Sequence, residues 1–261
     1  MKNLFNITVI ILSLVIGIYV IWWLIMGDPS GFVNGELRTE PIPGNILATT
    51  HTGGPLVGVL IALIIIALTF VFERLLSINK AKGKGNPSMF IKSMIDKLKA
   101  GDLETALAEC DNQRGSVANV MRAAITRFKE IEDDPAFSAE KKITETQRSI
   151  DEAMNLETPL LEKNLVILST VASIATMVGL LGTTIGMIRA FQALALSGTV
   201  SATQLSIGIS EALYNTAGGL LGAIIAIVAF NFFTTKVDNF VYMVDEAILN
   251  VTQIFTLRTK H

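Results

Sequence analysis

Two long apolar stretches late in the chain constrain it more than any other feature. LVILSTVASIATMVGLLGTTIGMI runs from Leu165 to Ile188, and ALYNTAGGLLGAIIAIVAFNFF runs from Ala212 to Phe233 with Glu211 at its head. Each exceeds the roughly 20 residues that carry a helix across a bilayer core. The expected fold class is therefore an all-α membrane protein, built around two helices whose few polar residues interrupt an apolar run.

Those interruptions are patterned. Gly179, Gly182, Thr183, Gly186 and Ala190 recur at spacings of three and four and share one helix face. On the second stretch Ala212, Thr216, Gly219 and Ala223 do the same, and Glu211, Asn215, Gly218 and Gly222 form a neighbouring stripe. Lipid gives helices little hydrophobic reason to press together, so small residues permit close approach and hydroxyls bond across the contact. Gly179, Gly182, Gly186, Gly219 and Gly222 read as packing seams. Thr183 and Thr216 either bond back to their own helix or line a polar path. Glu211 is either solvated at the helix mouth or marks a pathway or a paired charge, because ionisable groups at membrane depth are costly.

The whole composition agrees: 261 residues, 51% hydrophobic, mean hydropathy +0.53, too apolar for an ordinary soluble domain. The net charge of −2 says little. Cys110 is the only cysteine, which excludes an intramolecular disulfide, and with His51 and His261 it forms no ligand or catalytic set. No GxxxxGK[ST], GxSxG or paired-cysteine motif occurs. The chain is not expected to be an enzyme or to hold a metal or cofactor.

In chain order, residues 1–26 read as an N-terminal transmembrane anchor, with an apolar run from Phe5 to Met26 behind Lys2. A cleaved signal peptide is the competing reading. Against it stand a run longer than the usual ~7–15-residue core, no small-x-small site, and Trp22 and Trp23 placed as interfacial anchors. Residues 27–54 form a loop with Pro29, Pro41 and Pro43, carrying Asp28, Glu36, Arg38 and Glu40, in which no periodic element is visible. Residues 55–73 form the second span, followed by Lys80, Lys82 and Lys84.

Residues 74–163 hold 15 basic and 15 acidic residues and read as solvated helices, with breaks at Gly101 and Asp133-Asp134-Pro135 and a cap at Ser138. This segment holds too few apolar residues for an independent enzyme core, and its balanced charge argues against nucleic acid as a partner. Residues 164–233 carry the two late spans, and residues 234–261 a C-terminal helix. The connection from Gln192 to Gln204 is uncharged, whereas Lys236, Arg258 and Lys260 follow the last span. The positive-inside rule then puts both termini and the 74–163 segment in the cytoplasm, with four spans and the 27–54 loop outside.

ILSTVASIATMVGLLGTTIGMIRAFQAL followed by ISEALYNTAGGLLGAIIAIVAFNFF resembles the signature of the MotA/TolQ/ExbB proton channel family, in particular its ExbB/TolQ branch. The matching residues are Gly179 to Thr183 with Gly186 and Phe191, then Glu211-Ala212-Leu213, Thr216, Gly219-Leu220, Ala223-Ile224 and Asn231. A weaker likeness covers Phe72-Glu73-Arg74-Leu75 and the helical 74–163 segment.

This resemblance implies an inner-membrane homopentamer in which two long helices from each subunit line a central pore. It implies a single-span partner similar to ExbD or TolR that supplies a transmembrane aspartate, and a further TonB- or TolA-like protein. The proton motive force would drive work on the cell envelope, of the TonB or Tol-Pal kind. The family's pore-lining positions map onto Thr183, Thr216 and Glu211, with Thr176 and Asn215 as further candidates. The residues themselves limit the reading, since no span contains an aspartate. A threonine donates to an ionised carboxylate and accepts from a protonated one, so Thr183 and Thr216 suit both states of a carboxylate brought from elsewhere.

Three departures accompany the likeness. The family often has proline where this chain has Thr176 and Ile225, and the extra N-terminal span differs from a three-span layout. Arg189 is an added cation near a helix end, either snorkelling to the interface or pairing with Glu211. Rival readings are a MotA-like flagellar stator subunit, a small secondary transporter and a non-conducting membrane scaffold. The first two spans lack the glycine and hydroxyl pattern of the last two, which disfavours a transporter built of inverted repeats.

Overall fold

The computed structural model describes residues 2–35, 40–196 and 202–259. Glu36 and Arg38, the middle of the connection after Gln192, Lys260 and His261 lie outside them. The architecture is all-α: α1 (Lys2–Leu14), continued by a π-helical run (Val15–Ile25), then α2 (Ile46–His51), α3 (Pro55–Ala81), α4 (Pro87–Lys99), α5 (Leu103–Gln113), α6 (Ser116–Glu132), α7 (Ala139–Glu162), α8 (Leu165–Leu196) and α9 (Ala202–Arg258). Among the described residues there is no β-strand, only an isolated bridge between Phe32 and Pro41. Four helical stretches are long and apolar enough to cross a membrane, one each in the N-terminal run and in α3, α8 and α9.

The chain divides into two compact units, Met1–Phe72 with Asn164–Asn231, and Glu73–Lys163 with Phe232–His261. In the first, the N-terminal run is zipped to α3 by small residues. A Cβ on Gly17 would lie 2.7 Å from the Ala62 nitrogen, and one on Gly58 would lie 3.0 Å from the Ile18 Cα. In the 27–54 stretch, which shows no periodicity in sequence, turn chemistry shapes the described residues on either side of 36–39. Asp28 accepts from the Ser30 N–H, and Asn45 caps α2 by accepting from the Ala48 N–H. His51 is buried. Its ring stacks on Trp22 with centroids 4.8 Å apart, meets the Phe32 ring edge-on, and its Nδ1 lies 3.0 Å from the Trp22 carbonyl oxygen.

The second unit joins Glu73–Lys163 with Phe232–His261. It has a packed core of Met94, Leu98, Met121, Ile125, Phe128 and Ile150, completed by Val244, Val251 and Phe255 from α9. The Phe128 and Phe255 rings stack 3.9 Å apart. The buried apolar residues come both from residues 74–163 and from the second half of α9. Cys110 belongs to this core, and burial pushes its thiol up to about 12, so it stays protonated. Ser138 caps α7 through the Lys141 N–H. Arg127 on α6 hydrogen-bonds Glu145 on α7, which holds that carboxyl below its ordinary range.

Arg74 is fully buried and its guanidinium grips Glu73 through two 2.6 Å bonds. Its third arm donates to the Leu161 carbonyl at 3.2 Å. The last carbonyls of a helix lack partners within it, so a cation at the end of α7 satisfies one and complements the helix dipole. There the helix breaks rather than running into α8, and Asn164 takes the left-handed conformation, φ 64°. The turns after α3 and α5 interlock. Gly115 sits at φ +86°, and a Cβ on it would strike the Ala81 carbonyl oxygen and lie 2.7 Å from the Gly83 nitrogen. Gly115→Ala is therefore expected to destabilise the protein by about 2 kcal/mol. Thermal melting in detergent checks this, and an unchanged midpoint would refute it.

Candidate functional site

α8 and α9 pack antiparallel along their glycine faces. A Cβ on Gly179 would lie 3.1 Å from the Gly219 Cα, one on Gly186 would lie 2.7 Å from the Ala212 nitrogen, and one on Gly208 would lie 2.7 Å from the Ala190 Cβ. A Cβ on Gly182 would fall directly on Asn215. The Gly218 and Gly222 stripe turns instead toward α3, where added Cβ atoms would be 3.3 Å from Leu60 and Ile64 side-chain carbons. One small-residue stripe of α9 thus serves α8, and the other meets both α3 and α8, since a Cβ on Gly222 would also lie 3.4 Å from the Ala175 Cβ.

Within the seam, half-buried Thr183 and Thr216 hydrogen-bond through their hydroxyls. Each oxygen also lies 3.2 Å from a carbonyl of its own helix, Gly179 for Thr183 and Ala212 for Thr216. Two hydroxyls carry two protons, so the three contacts share them: each oxygen has a carbonyl of its own helix within reach and the other hydroxyl opposite it. Either oxygen can be the donor. A hydroxyl pair of this kind can redirect a proton toward an acceptor without acquiring charge. Thr176, nearly two turns earlier on α8, bonds back to the Ala172 carbonyl at 3.1 Å. α8 and α9 run as uninterrupted helices through Thr176 and Ile225, where a proline would have removed a backbone donor.

Toward the end of α8 and the start of α9 lies a charged pair. Arg189 Nη1 bonds Glu211 Oε1, and the side chains are 48% and 7% exposed respectively. Glu211 is thus paired rather than solvated, and Arg189 faces its partner instead of only reaching outward. Asn215 is fully buried one turn along from Glu211. Its Nδ2 donates to the Gly53 carbonyl at 2.7 Å and to the Glu211 carbonyl at 2.9 Å, and its Oδ1 has no hydrogen-bond partner among the described residues. The amide is buried against Gly182 and held by the Gly53 and Glu211 carbonyls.

Gly54, at φ +78°, completes the cluster, since a Cβ there would lie 2.7 Å from Glu211 Oε1 and 3.5 Å from Arg189 Nη1. Gly53, Gly54 and Gly208 escape sequence reasoning on the late spans. Gly208 continues the small-residue face one turn before Ala212, and Gly53-Gly54 before Pro55 is a turn signal. Nothing local connects that turn to residues more than 150 positions away.

The MotA/TolQ/ExbB proton channel family profile matches residues 112–246. Among characterised relatives, the Tol-Pal system protein TolQ of Haemophilus influenzae is 40% identical over 115 residues, 43% of this chain and 48% of that protein. The Tol-Pal system protein TolQ of Pseudomonas aeruginosa is 32% identical over 120 residues, 46% of this chain and 52% of that protein. The biopolymer transport protein ExbB of Pseudomonas putida is 28% identical over 173 residues, 62% of this chain and 49% of that protein. The chain spans about half the length of each of these relatives.

Proposed function

Because the chain belongs to the MotA/TolQ/ExbB proton channel family, and is a multi-pass membrane protein with four spanning helices, we propose that it is an ExbB/TolQ-like subunit of an inner-membrane proton motor. It works as a homo-oligomer, in the pentameric arrangement expected of the family, with both termini and the second unit in the cytoplasm. An ExbD/TolR-like single-span partner brings a transmembrane aspartate to the ring, and a TonB- or TolA-like protein carries the work to the outer envelope. The names of the TolQ and ExbB relatives support this branch.

The observation that carries the reading is the hydroxyl pair Thr183–Thr216, set in a glycine seam between two spans that contain no aspartate. Two facing hydroxyls stabilise a visiting carboxylate when ionised and its protonated form when neutral, and they do not compete for the proton. The energy suffices: one charge crossing about 100 mV releases about 2.3 kcal/mol, several times thermal energy.

The test is reconstitution. The full chain, co-expressed with the single-span, aspartate-bearing protein encoded beside it, is purified into vesicles with an entrapped pH dye. Under an inside-negative potential, proton uptake is expected from the complex and is lost when the partner's aspartate is replaced by asparagine. Uptake indifferent to that replacement, or no such partner in the purified complex, would overturn the reading.

A further inference from the structure

We infer that Arg189 sets the electrostatic barrier to cations at the Glu211 end of the α8–α9 pair, that Glu211 cancels it, and that Asn215 with the Gly53–Gly54 turn holds the two charges together. The inference rests on the proton path proposed above. A guanidinium beside a cation path is a barrier, and a buried carboxylate paired with it makes the site neutral. The pairing is enforced from outside the helix pair. Asn215 ties the backbone of α9 to the Gly53 carbonyl, and Gly54 leaves room at 2.7 Å for the Glu211 carboxylate.

That turn is in turn fixed by its neighbours. His51, whose carbonyl accepts from the Gly54 N–H at 3.0 Å, is stacked on Trp22 at the end of the N-terminal run. The run is locked along α3 through Gly17 and Gly58. The additional first span thus has a place in the mechanism: it braces the clasp that seats the charged pair. In this role Glu211 is a fixed counter-charge and Asn215 a positioning residue.

The two partners differ in burial, 7% for Glu211 and 48% for Arg189, and this makes the test decisive. Glu211→Gln leaves a half-exposed arginine that can still reach water, so the complex is expected to assemble, with proton uptake at least tenfold lower from the unbalanced cation. Arg189→Gln added to it removes that cation and is expected to recover uptake at least tenfold over Glu211→Gln alone, an outcome that lost packing cannot produce. Asn215→Ala is expected to slow uptake in the parent chain and to have little further effect in the double variant, since the pair it positions is then gone.

Assembled Glu211→Gln complex conducting like the parent, or a double variant as slow as the single one, would overturn the inference. Should the parent complex conduct nothing, the proposed function falls and the melting midpoints of the purified chain decide the clasp. Arg189→Gln is then expected to melt well below Glu211→Gln, and the double variant above Arg189→Gln. Additive midpoints would refute the pairing.

Discussion

Thr216→Val is expected to slow proton-driven work roughly tenfold to a hundredfold, and Thr183→Val with Thr216→Val to abolish it, while leaving the purified assembly intact. Two magnitudes separate these effects. A side-chain hydrogen bond within a membrane helix bundle contributes about 0.6 kcal/mol on average, and valine keeps the branched shape in a surrounding that is already apolar. The seam itself rests on backbone contact at Gly179, Gly186, Gly208 and Gly219, which the threonine substitutions do not touch. Donation to an ionised carboxylate, in contrast, is worth about 1.5–3 kcal/mol. At about 1.4 kcal/mol per decade of rate, loss of one donor slows a step through the ionised state by roughly tenfold to a hundredfold. Thr→Ser at either position keeps the hydroxyl and is expected to retain most of the flux. Proton uptake by reconstituted complex, normalised to assembled protein, measures this. Valine variants that transduce energy like the parent would return the protein to the scaffold reading.

The fold was legible where local chemistry decides and obscure where distant pieces meet. Gly101, the Asp133-Asp134-Pro135 turn and the Ser138 cap fall at the end of α4, the end of α6 and the start of α7, because each signal acts within one turn. The small-residue faces of α8 and α9 are readable for the same reason. The core of the second unit is not, since its completing residues, Val244, Val251 and Phe255, lie about 100 positions beyond the segment they cover. The α2 turn has no periodicity to detect, as its order comes from Asn45 and from rings that stack across the sequence. Asn215 shows the limit most sharply. Its spacing puts it on a stripe with Glu211, Gly218 and Gly222, which suggests a lining residue. Its actual partner is the carbonyl of Gly53, which no pattern on α9 can announce.

Gly182→Leu is expected to have the largest effect of any single change in the late spans, with little or no folded protein recovered from membranes. Even a methyl group at this position would occupy the space of the Asn215 side chain. Asn215 cannot yield cheaply, because it is fully buried and makes both the Gly53 and the Glu211 backbone bonds. Overpacking costs about 1–3 kcal/mol, and each buried polar group stripped of its partner costs about 1–3 kcal/mol more. Spreading the helices at Gly182 also separates Thr183 from Thr216 one residue away and Arg189 from Glu211 two turns on. Together these losses approach the ~5–15 kcal/mol of a whole domain. Leu181→Ala, at the neighbouring exposed position, is the matched control and is expected to leave the folded yield near that of the parent. Size-exclusion profiles of the detergent-extracted variants give the measurement, and a parent-like profile for Gly182→Leu would mean the seam is wider than its glycines imply. Alongside the threonine series this separates two properties of one interface: how closely the helices meet, which Gly182→Leu tests, and the proton path proposed at Thr183 and Thr216, which the valine variants test.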